Sequence, residues 1–309
     1  MATEVLDPEE IQARLDRGEF FWLDLHQPDA EDFDLLRRVF GFHPLAVEDS
    51  EHFGQRPKCE LYDDFVFLVL FGAAPPPDED RLVEVHCFYS ERFLVTVRGD
   101  ESPICDRLRS RHAREGTPEA IFVLHQLADG LVDSFFSALA DFDERIDTLQ
   151  EEIAAGPTDV QLLELSRMRS RLARFRRIVA PQRDLFAQFI AGVTPLPGMT
   201  AEAERYFRDI YDHLIRVSEQ IDSYRELLTG SMDVYLSTVS NRLNVVTKQL
   251  ALIATIALPL IVISGFFGQN FTWMVDHVDS WVAFLVLGVG LQVASLVLLV
   301  LYFKRRGWF

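Results

Sequence analysis

Residues 241–271 read NRLNVVTKQLALIATIALPLIVISGFFGQNF, and their last 23 positions carry no charged side chain. The uncharged run covers residues 249–275, which is 27 positions, and a second uncharged run of 24 positions covers residues 280–303. A helix needs about 20 apolar residues to cross the hydrocarbon core of a bilayer. The sequence therefore predicts two transmembrane helices, at 249–267 and 280–303, and it excludes a purely soluble protein.

The charge of the chain lies mainly before the first apolar run. The 309 residues include 30 basic and 48 acidic side chains, which gives a formal net charge of −18. Such a chain repels phosphate, so nucleic acid is not an expected partner. The three cysteines, Cys59, Cys87 and Cys105, form no CxxC pair, which predicts reduced cytosolic thiols and neither a disulfide framework nor a zinc finger. The acidic start, MATEVLDPEE, has no apolar core, so we expect no signal peptide.

Basic side chains flank the two predicted spans on one side only. They precede the first span or follow the second, at Arg242, Lys248, Lys304, Arg305 and Arg306. The connector 268–279 holds Asp276 and Asp279 and neither Lys nor Arg. Because Lys and Arg are retained on the cytoplasmic side, the pattern predicts a multi-pass protein of the cell membrane with both termini in the cytoplasm. The connector then lies outside, and residues 304–309 form a basic cytoplasmic tail.

Residues 1–135 have the pattern of a mixed α and β domain. Four apolar or alternating segments predict strands: FFWLDL (20–25), DFVFLVLFG (64–72), LVEVHCFYS (82–90) and RFLVTVRG (92–99). Between the first two segments, one helical face is formed by Phe33, Leu36, Val39 and Phe40. Between the second and third segments, APPPDED (74–80) predicts a hairpin loop. We therefore expect a cytoplasmic sheet flanked by helices, an α+β fold class.

Residues 136–248 predict long cytoplasmic helices and a stalk. Helical patterns cover 119–154 and 158–190, and a third begins near Thr200, which is suited to cap a helix. In the third helix, apolar residues recur at alternating steps of three and four, at Phe207, Ile210, Leu214, Val217, Ile221, Tyr224, Leu228, Met232, Tyr235 and Val239. A single helix over 202–264 would be about 95 Å long and needs packing partners. Two spans per chain are too few to enclose a pore, so we expect an oligomer.

The same spacing continues into the first span and gives one stripe of residues. It consists of Asn244, Thr247, Ala251, Ala254, Leu258, Ile261 and Gly265. Small residues at this spacing are typical of helices that pack closely in a membrane. The alternative is a pore, polar at its cytoplasmic end and closed by a dry constriction at Leu258 and Ile261. A symmetric ring of such helices would satisfy both interpretations.

The segment after the first span contains Gly268, Gln269 and Asn270. Gly and Asn are common in turns, so a plain turn is one interpretation. The other places Asn270 at a pore mouth, where neutral amide oxygens contact the water shell of Mg²⁺, an ion that dehydrates reluctantly. Asp276 and Asp279 would then raise the local concentration of cations.

Several separate motifs of the chain resemble the CorA family of divalent-cation channels. Residues 206–271 are similar to its stalk helix, first span and loop, residues 42–70 (FHPLAVEDSEHFGQRPKCELYDDFVFLVL) to its cytoplasmic motif, and YFKRRGWF (302–309) to its basic, aromatic tail. The resemblance implies a funnel-shaped homopentamer with a cytoplasmic α/β/α sandwich. It also implies a pore lined at positions Asn244, Thr247, Leu258, Ile261, Gly265 and Asn270.

The chain departs from this family pattern at three positions. Gln269 replaces the methionine of the family's Gly-Met-Asn loop, Ile261 replaces a threonine common in the pore, and Thr272 replaces an acidic residue. These changes affect the loop and the narrow path, so they bear on ion selectivity and conductance rather than on architecture.

The resemblance further implies a regulatory Mg²⁺ site between neighbouring cytoplasmic domains. Asp209 matches one acidic ligand, and the second comes from the region 78–84, where we choose Asp80. Bound Mg²⁺ would hold the pore closed, because acidic faces of neighbouring subunits repel each other without it. A second acidic face, either a solvated stripe or a cation collector, consists of Asp141, Asp143, Glu144, Asp147, Glu151 and Glu152.

The expected function is Mg²⁺ influx down the electrochemical gradient, with Co²⁺ and Ni²⁺ as permeant relatives. Mg²⁺ is both permeant and regulatory ion, and no organic cofactor is expected. An enzyme is not indicated, because GxxxxGK[ST], GxSxG and HExxH are all absent from the sequence, and His125 and His213 have the pattern of packing or capping residues. Two alternatives stay open: a ZntB-like Zn²⁺ transporter, suggested by the altered loop and His277, and a non-conducting homologue that senses metal.

Overall fold

The computed structural model describes residues 8–75, 81–116, 118–269, 271–278 and 280–308. The chain divides into two compact units, Met1–Val234 and Tyr235–Phe309. The strands are β1 (Phe21–His26), β2 (Lys58–Leu61), β3 (Val66–Ala73), β4 (Leu82–Tyr89) and β5 (Phe93–Arg98). The helices are α1 (Pro8–Arg17), α2 (Ala30–Arg38), α3 (Pro44–Glu51), α4 (Pro103–Glu115), α5 (Ala120–Leu139), α6 (Phe142–Ala155), α7 (Asp159–Ile190), α8 (Ala201–Phe267), α9 (Thr272–His277) and α10 (Trp281–Arg305).

The five strands form one mixed sheet in the order β1-β5-β4-β3-β2. β1 pairs parallel with β5, with Phe21 opposite Phe93, and the other neighbours pair antiparallel. Every residue of β3 and β5 is buried, as expected where both faces of a sheet are covered. The four predicted strands are confirmed. The sequence did not predict β2, which has only four residues, three of them half-buried and the last, Leu61, exposed.

Helices cover both faces of the sheet. On one face, the ring of Phe42, which follows α2, stacks on Phe88 of β4 at a centroid distance of 4.2 Å. On the other face, α5 approaches β3 so closely that a Cβ at Gly72 would lie 2.8 Å from the carbonyl oxygen of Leu131. The α/β/α sandwich expected for the cytoplasmic domain is therefore confirmed.

The predicted helix over 119–154 is wrong, because the chain turns between α5 and α6. The N–H of Ala140 donates to the Ser137 carbonyl, three residues back, and Asp141 has ψ of −2°. Asp competes with helical hydrogen bonds and favours helix starts, which suits it to this position. The helix predicted over 158–190 is confirmed as α7, where the side chain of Gln161 accepts from the Thr158 N–H at 2.9 Å. Thr200 caps α8 as predicted, since its Oγ1 accepts from the Ala203 N–H at 3.1 Å.

The apolar seam of α8 is buried against helices of the same chain. Phe207, Ile210, Leu214, Val217, Ile221 and Leu228 are each at most 2% exposed. Phe207 stacks on Phe186 of α7, and Tyr224 stacks on Phe142 of α6. This part of the long helix therefore finds its packing partners within its own unit.

Among the described residues of the unit Tyr235–Phe309, two helices are long and apolar enough to cross a membrane, the last part of α8 and α10. Gln292 Nε2 of α10 donates to Ser264 Oγ of α8 at 2.8 Å. Between Phe284 and Gly290, α10 has wider π-helical turns. Trp308 stacks on Phe303, and Lys248 Nζ lies 5.5 Å from the Trp308 ring centroid.

Candidate metal centre and ion pathway

Two helices of the first unit bring acidic and histidine side chains together. Asp129 of α5 and Asp209 and His213 of α8 each offer one ligand atom, and these three atoms lie within 4.8 Å of one another. His213 Nε2 is 3.7 Å from Asp209 Oδ2, and His213 Nδ1 is 3.7 Å from Asp129 Oδ1. Asp133 Oδ1 is 3.1 Å from His213 Nδ1. We call Asp129, Asp133, Asp209 and His213 the metal cluster.

Helical spacing explains why these side chains meet. Asp129 and Asp133 are four residues apart on α5, and Asp209 and His213 are four residues apart on α8, so each pair lies on one helix face. The ring of His213 packs edge-on against Phe136 of α5 at 5.8 Å. This contact holds the imidazole between the acidic pair of α5 and Asp209 of α8.

Burial disfavours the charged form of Asp129 in the metal cluster and of the nearby His125. Burial, followed by the neighbouring Asp133, raises the pKa of Asp129. Burial lowers the pKa of His125, which lies one turn before Asp129. Three buried atoms lack a hydrogen-bond partner among the described residues, namely Asp129 Oδ1, His213 Nδ1 and His125 Nε2. The Asp133 contact of His213 thus lacks hydrogen-bond geometry despite its short distance.

The donor set fits a divalent cation. Carboxylate oxygens are the ligands that Mg²⁺ prefers, and an imidazole nitrogen adds affinity for Co²⁺, Ni²⁺ and Zn²⁺. A cation would satisfy the unpartnered Asp129 Oδ1 and His213 Nδ1 and would offset the repulsion between Asp129 and Asp133. The Asp209 side chain remains 65% exposed, which leaves that side of the cluster open to further ligands.

Sequence reasoning found one member of this cluster and missed the others. It selected Asp209 and assigned His213 to packing or capping. The ring of His213 does pack against Phe136, and its two nitrogens also lie beside carboxylates, which the sequence did not predict. The sequence did not indicate Asp129 or Asp133 as ligands, because they lie 80 residues before Asp209 and His213, respectively. The i, i+4 spacing of the acids on α5 was the available hint. Asp80, chosen as the second ligand, lies outside the described residues.

Glu84, the last residue of the predicted ligand region 78–84, binds groups of its own domain instead. Its carboxylate accepts from the backbone N–H groups of Gly54 at 2.6 Å and Gln55 at 3.0 Å, and it lies 2.7 Å from His86 Nε2. Burial alone would raise the pKa of Glu84, but these hydrogen bonds, that of His86 first, bring the net pKa below its usual value of 4.5. The six-residue acidic face of α6 is exposed, and no close group of ligand atoms forms there among the described residues.

The predicted stripe of α8 lies on an exposed face of the helix. Asn244, Thr247, Ala251, Ala254, Leu258, Ile261 and Gly265 are all exposed in the single chain. Leu258 and Ile261 are 62% and 66% exposed, whereas Leu252 is 8% exposed. At about 100° per residue, Leu252, Ile256, Leu260 and Ile263 fall on the opposite side of the helix. The least exposed side of the span therefore lies opposite the stripe.

The segment after α8 begins with a glycine that the backbone requires. A Cβ at Gly268 would lie 2.9 Å from the Ser264 carbonyl oxygen, to which the Gly268 N–H also donates. Gln269 and Asp276 are exposed. Asn270 and Asp279 lie outside the described residues. The ring of His277 stacks on Trp273 at 4.9 Å, and His277 Nδ1 lies 3.0 Å from the Trp273 carbonyl oxygen.

Known proteins resemble this chain over most of its length. The sequence profile of one family, described as CorA-like Mg2+ transporter protein, matches residues 17–305. The cobalt/magnesium transport protein CorA of Thermotoga maritima is 34% identical over 284 residues, which cover 89% of this chain and 80% of that protein. The putative metal ion transporter YfjQ of Bacillus subtilis is 31% identical over 295 residues, covering 94% and 90%. The zinc transport protein ZntB of Yersinia enterocolitica is more distant, at 26% identity over 229 residues, covering 73% and 69%.

A solved structure has the same fold. The complete structure of the CorA magnesium transporter from Methanocaldococcus jannaschii aligns with a TM-score of 0.83 and 21% identity, and the alignment covers 93% of this chain and 91% of that one. Together with the two long apolar helices, these matches show a membrane protein whose α/β domain, long helix and two spans follow a known architecture. The chain belongs to the family of CorA-like Mg²⁺ transporter proteins.

Proposed function

We propose that this chain forms a homopentameric channel through which Mg²⁺ enters the cell, with Co²⁺ and Ni²⁺ as permeant relatives. The observation that carries the proposal is the exposed stripe on α8, opposite the least exposed side of the same helix. In a ring of copies, that free side faces the axis. Its members change from Asn244 and Thr247 at one end to Leu258 and Ile261 further along, the order expected of a wet vestibule and a hydrophobic gate.

The names of the relatives support a divalent cation as the cargo. The Thermotoga maritima relative is named for cobalt and magnesium transport, and the Bacillus subtilis relative for metal ions. At the outer end of the stripe, Asn270 supplies amide oxygens to a hydrated ion, and Asp276 and Asp279 attract cations to the mouth. Entry needs no chemical fuel, because a divalent ion gains about 4.6 kcal/mol per 100 mV on moving to the negative side.

Mg²⁺ bound at the metal cluster closes the channel in this proposal. The cluster draws ligands from α5 and from α8, and α8 continues into the first span without a break. The exposed Asp209 leaves room for an acidic ligand from a neighbouring copy, for which Asp80 stays our choice. Loss of the ion would leave acidic groups of adjacent copies in mutual repulsion and so favour an open ring.

Both termini are cytoplasmic in this arrangement. Lys248 and the basic residues after the second span lie at the same end of the membrane unit, where Lys248 Nζ approaches the Trp308 ring. A common basic end is what the positive-inside rule requires of two antiparallel spans. The connector with Asp276 then faces the outside.

Zinc transport is the less supported alternative. It would draw on His277 as a ligand in the connector, but that ring is engaged with Trp273 through stacking and a contact of Nδ1 with the backbone. A non-conducting metal sensor would need the metal cluster and no ion path. Flux measurements separate the three functions.

The test is divalent-ion uptake into proteoliposomes held at a negative internal potential. We expect Mg²⁺ uptake by the wild type, competition by Co²⁺, and loss of uptake in Asn270→Ala. Asn241→Ala, which changes an exposed amide of α8 outside the stripe, is the matched control and should keep its uptake. Zn²⁺ uptake that exceeds Mg²⁺ uptake and requires a proton gradient would replace this function with zinc transport. Metal binding without flux of any divalent ion would establish the sensor.

A further inference from the structure

A second charged site lies on the first unit and is basic rather than acidic. A surface concavity of about 540 Å³ is lined by Arg56, Ala173, Arg176, Arg177, Ala180, Pro181 and Arg225. Four arginines thus line one depression in a chain whose formal net charge is −18. Among the residues that the structure describes, no acidic side chain lines it.

One carboxylate orients two of the four arginines. Asp222 Oδ1 of α8 forms an ion pair with Arg176 of α7, 2.9 Å from its Nε, and accepts a hydrogen bond from Arg225 Nη1 at 3.2 Å. The one carboxylate of Asp222 therefore contacts the guanidinium groups of both Arg176 and Arg225. Positive charge remains in excess, since Arg56 and Arg177 also face the concavity.

The third element of the site is the loop that carries Arg56. Backbone N–H groups of Gly54 and Gln55 donate to the buried carboxylate of Glu84. Phe53 packs beside His86, with ring centroids 5.0 Å apart, and Pro57 on the other side of Arg56 is buried. The segment FGQRPK (53–58) is therefore attached to β4 by hydrogen bonds on the N-terminal side of Arg56. These contacts fix the backbone that carries the Arg56 side chain.

From this geometry we infer that the concavity binds a multivalent oxyanion of the phosphate class. Guanidinium groups pair with phosphate oxygens through two parallel N–H donors, and several of them around one depression suit an anion with more than one charge. The volume lies in the range of small-molecule sites. An occupied site would bridge α7, α8 and the 52–57 loop through one ligand. It is separate from the metal cluster and does not depend on ion conduction.

The test measures binding of inorganic pyrophosphate to the full-length protein in nanodiscs of zwitterionic lipid, by calorimetry without Mg²⁺. We expect saturable binding that weakens by about tenfold or more in Arg177→Gln and in Arg56→Gln. Arg169→Gln is the matched control, since Arg169 is exposed on the same helix but does not line the concavity. Asp209→Asn should bind pyrophosphate like the wild type, which separates this site from the proposed transport function.

Two results would overturn the inference. One is the absence of saturable binding, as expected if the arginines serve instead to dock an acidic face of another protein copy. The other is equal weakening in Arg169→Gln and Arg177→Gln, which would mean diffuse attraction to a basic helix. A further arm uses nanodiscs that contain phosphatidylglycerol. If this lipid displaces pyrophosphate from the wild type, the phosphate group that binds the concavity belongs to a lipid headgroup. If the affinity for pyrophosphate is unchanged, the ligand is soluble.

Discussion

The metal cluster brings candidate ligands for a cation together from two helices. Asp129 and Asp209 approach the same imidazole from different helices, and the Oδ1 atom of Asp129 is buried without a hydrogen bond. An unpaired buried acceptor is costly unless a ligand satisfies it. A divalent ion is the simplest such ligand, and it would also offset the burial and the Asp133 repulsion that raise the pKa of Asp129.

Removing one charged ligand should weaken this site. We expect Mg²⁺ and Co²⁺ to raise the thermal unfolding midpoint of the wild type, because a ligand that binds the folded state stabilises it. In Asp209→Asn the apparent affinity should fall by about tenfold or more. Asp212→Asn is the matched control, since Asp212 is an exposed neighbour on α8 outside the cluster. Equal metal dependence of the midpoint in both variants would show that the cluster is not the binding site.

The sequence reveals individual residues of such a site more readily than their partners. Asp209 was reached through a resemblance that covered a long segment of α8. Asp129 and His213 are 84 positions apart, and nothing in either local pattern predicts that α5 and α8 cross at these residues. That contact depends on tertiary packing, such as the Phe136 contact with His213, which local periodicity does not encode.

Among the elements, the loop 52–57 is fixed by one buried acid of β4. Glu84 is 7% exposed and accepts hydrogen bonds from two backbone N–H groups of the loop. Since its folded-state pKa lies below the usual 4.5, ionised Glu84 contributes stability above that pH. The contribution is lost as the pH falls through the lowered pKa.

Replacement of Glu84 should therefore destabilise the first unit and reduce its acid sensitivity. We expect Glu84→Gln to lower the free energy of unfolding by about 1–3 kcal/mol at neutral pH, because at least one loop N–H loses a charged acceptor. Thermal unfolding between pH 3 and pH 7 measures both effects. Glu101→Gln, at an exposed position, should leave the curve unchanged. A Glu84→Gln variant as stable and as acid-sensitive as the wild type would disprove the anchoring role.

The long helices illustrate what periodicity does and does not predict. Apolar spacing of three and four residues predicted the buried seam of α8, because burial on one side of a helix imposes that period. The same reasoning wrongly predicted α5 and α6 as one helix, because the two residues between them, Ala140 and Asp141, are neither proline nor glycine and so do not indicate a turn. Strand β2 was missed because it has only four residues and none of them is fully buried, so pairing with β3 rather than hydrophobicity defines it.

For the whole molecule, transport through α8 requires several copies. The two apolar helices of one chain cannot surround a water-filled path, and the stripe of α8 is exposed when the chain stands alone. We expect the protein extracted in mild detergent to behave as five copies of the 35.4 kDa chain. Native mass spectrometry should then give a mass of about 177 kDa, as a closed cyclic assembly requires. A stable monomer in detergent and in nanodiscs would contradict the assembly.

The ion path itself is tested by the rate of Mg²⁺ uptake in single-cysteine variants treated with a positively charged methanethiosulfonate. Background reaction should be low, because burial raises the pKa of Cys59 and Cys105 to about 12 and that of Cys87 well above its usual value. We predict that the reagent blocks uptake through Leu258→Cys, on the stripe, and spares Leu260→Cys, on the opposite side of α8. Block of Leu260→Cys with Leu258→Cys unaffected would mean that the stripe does not line the path.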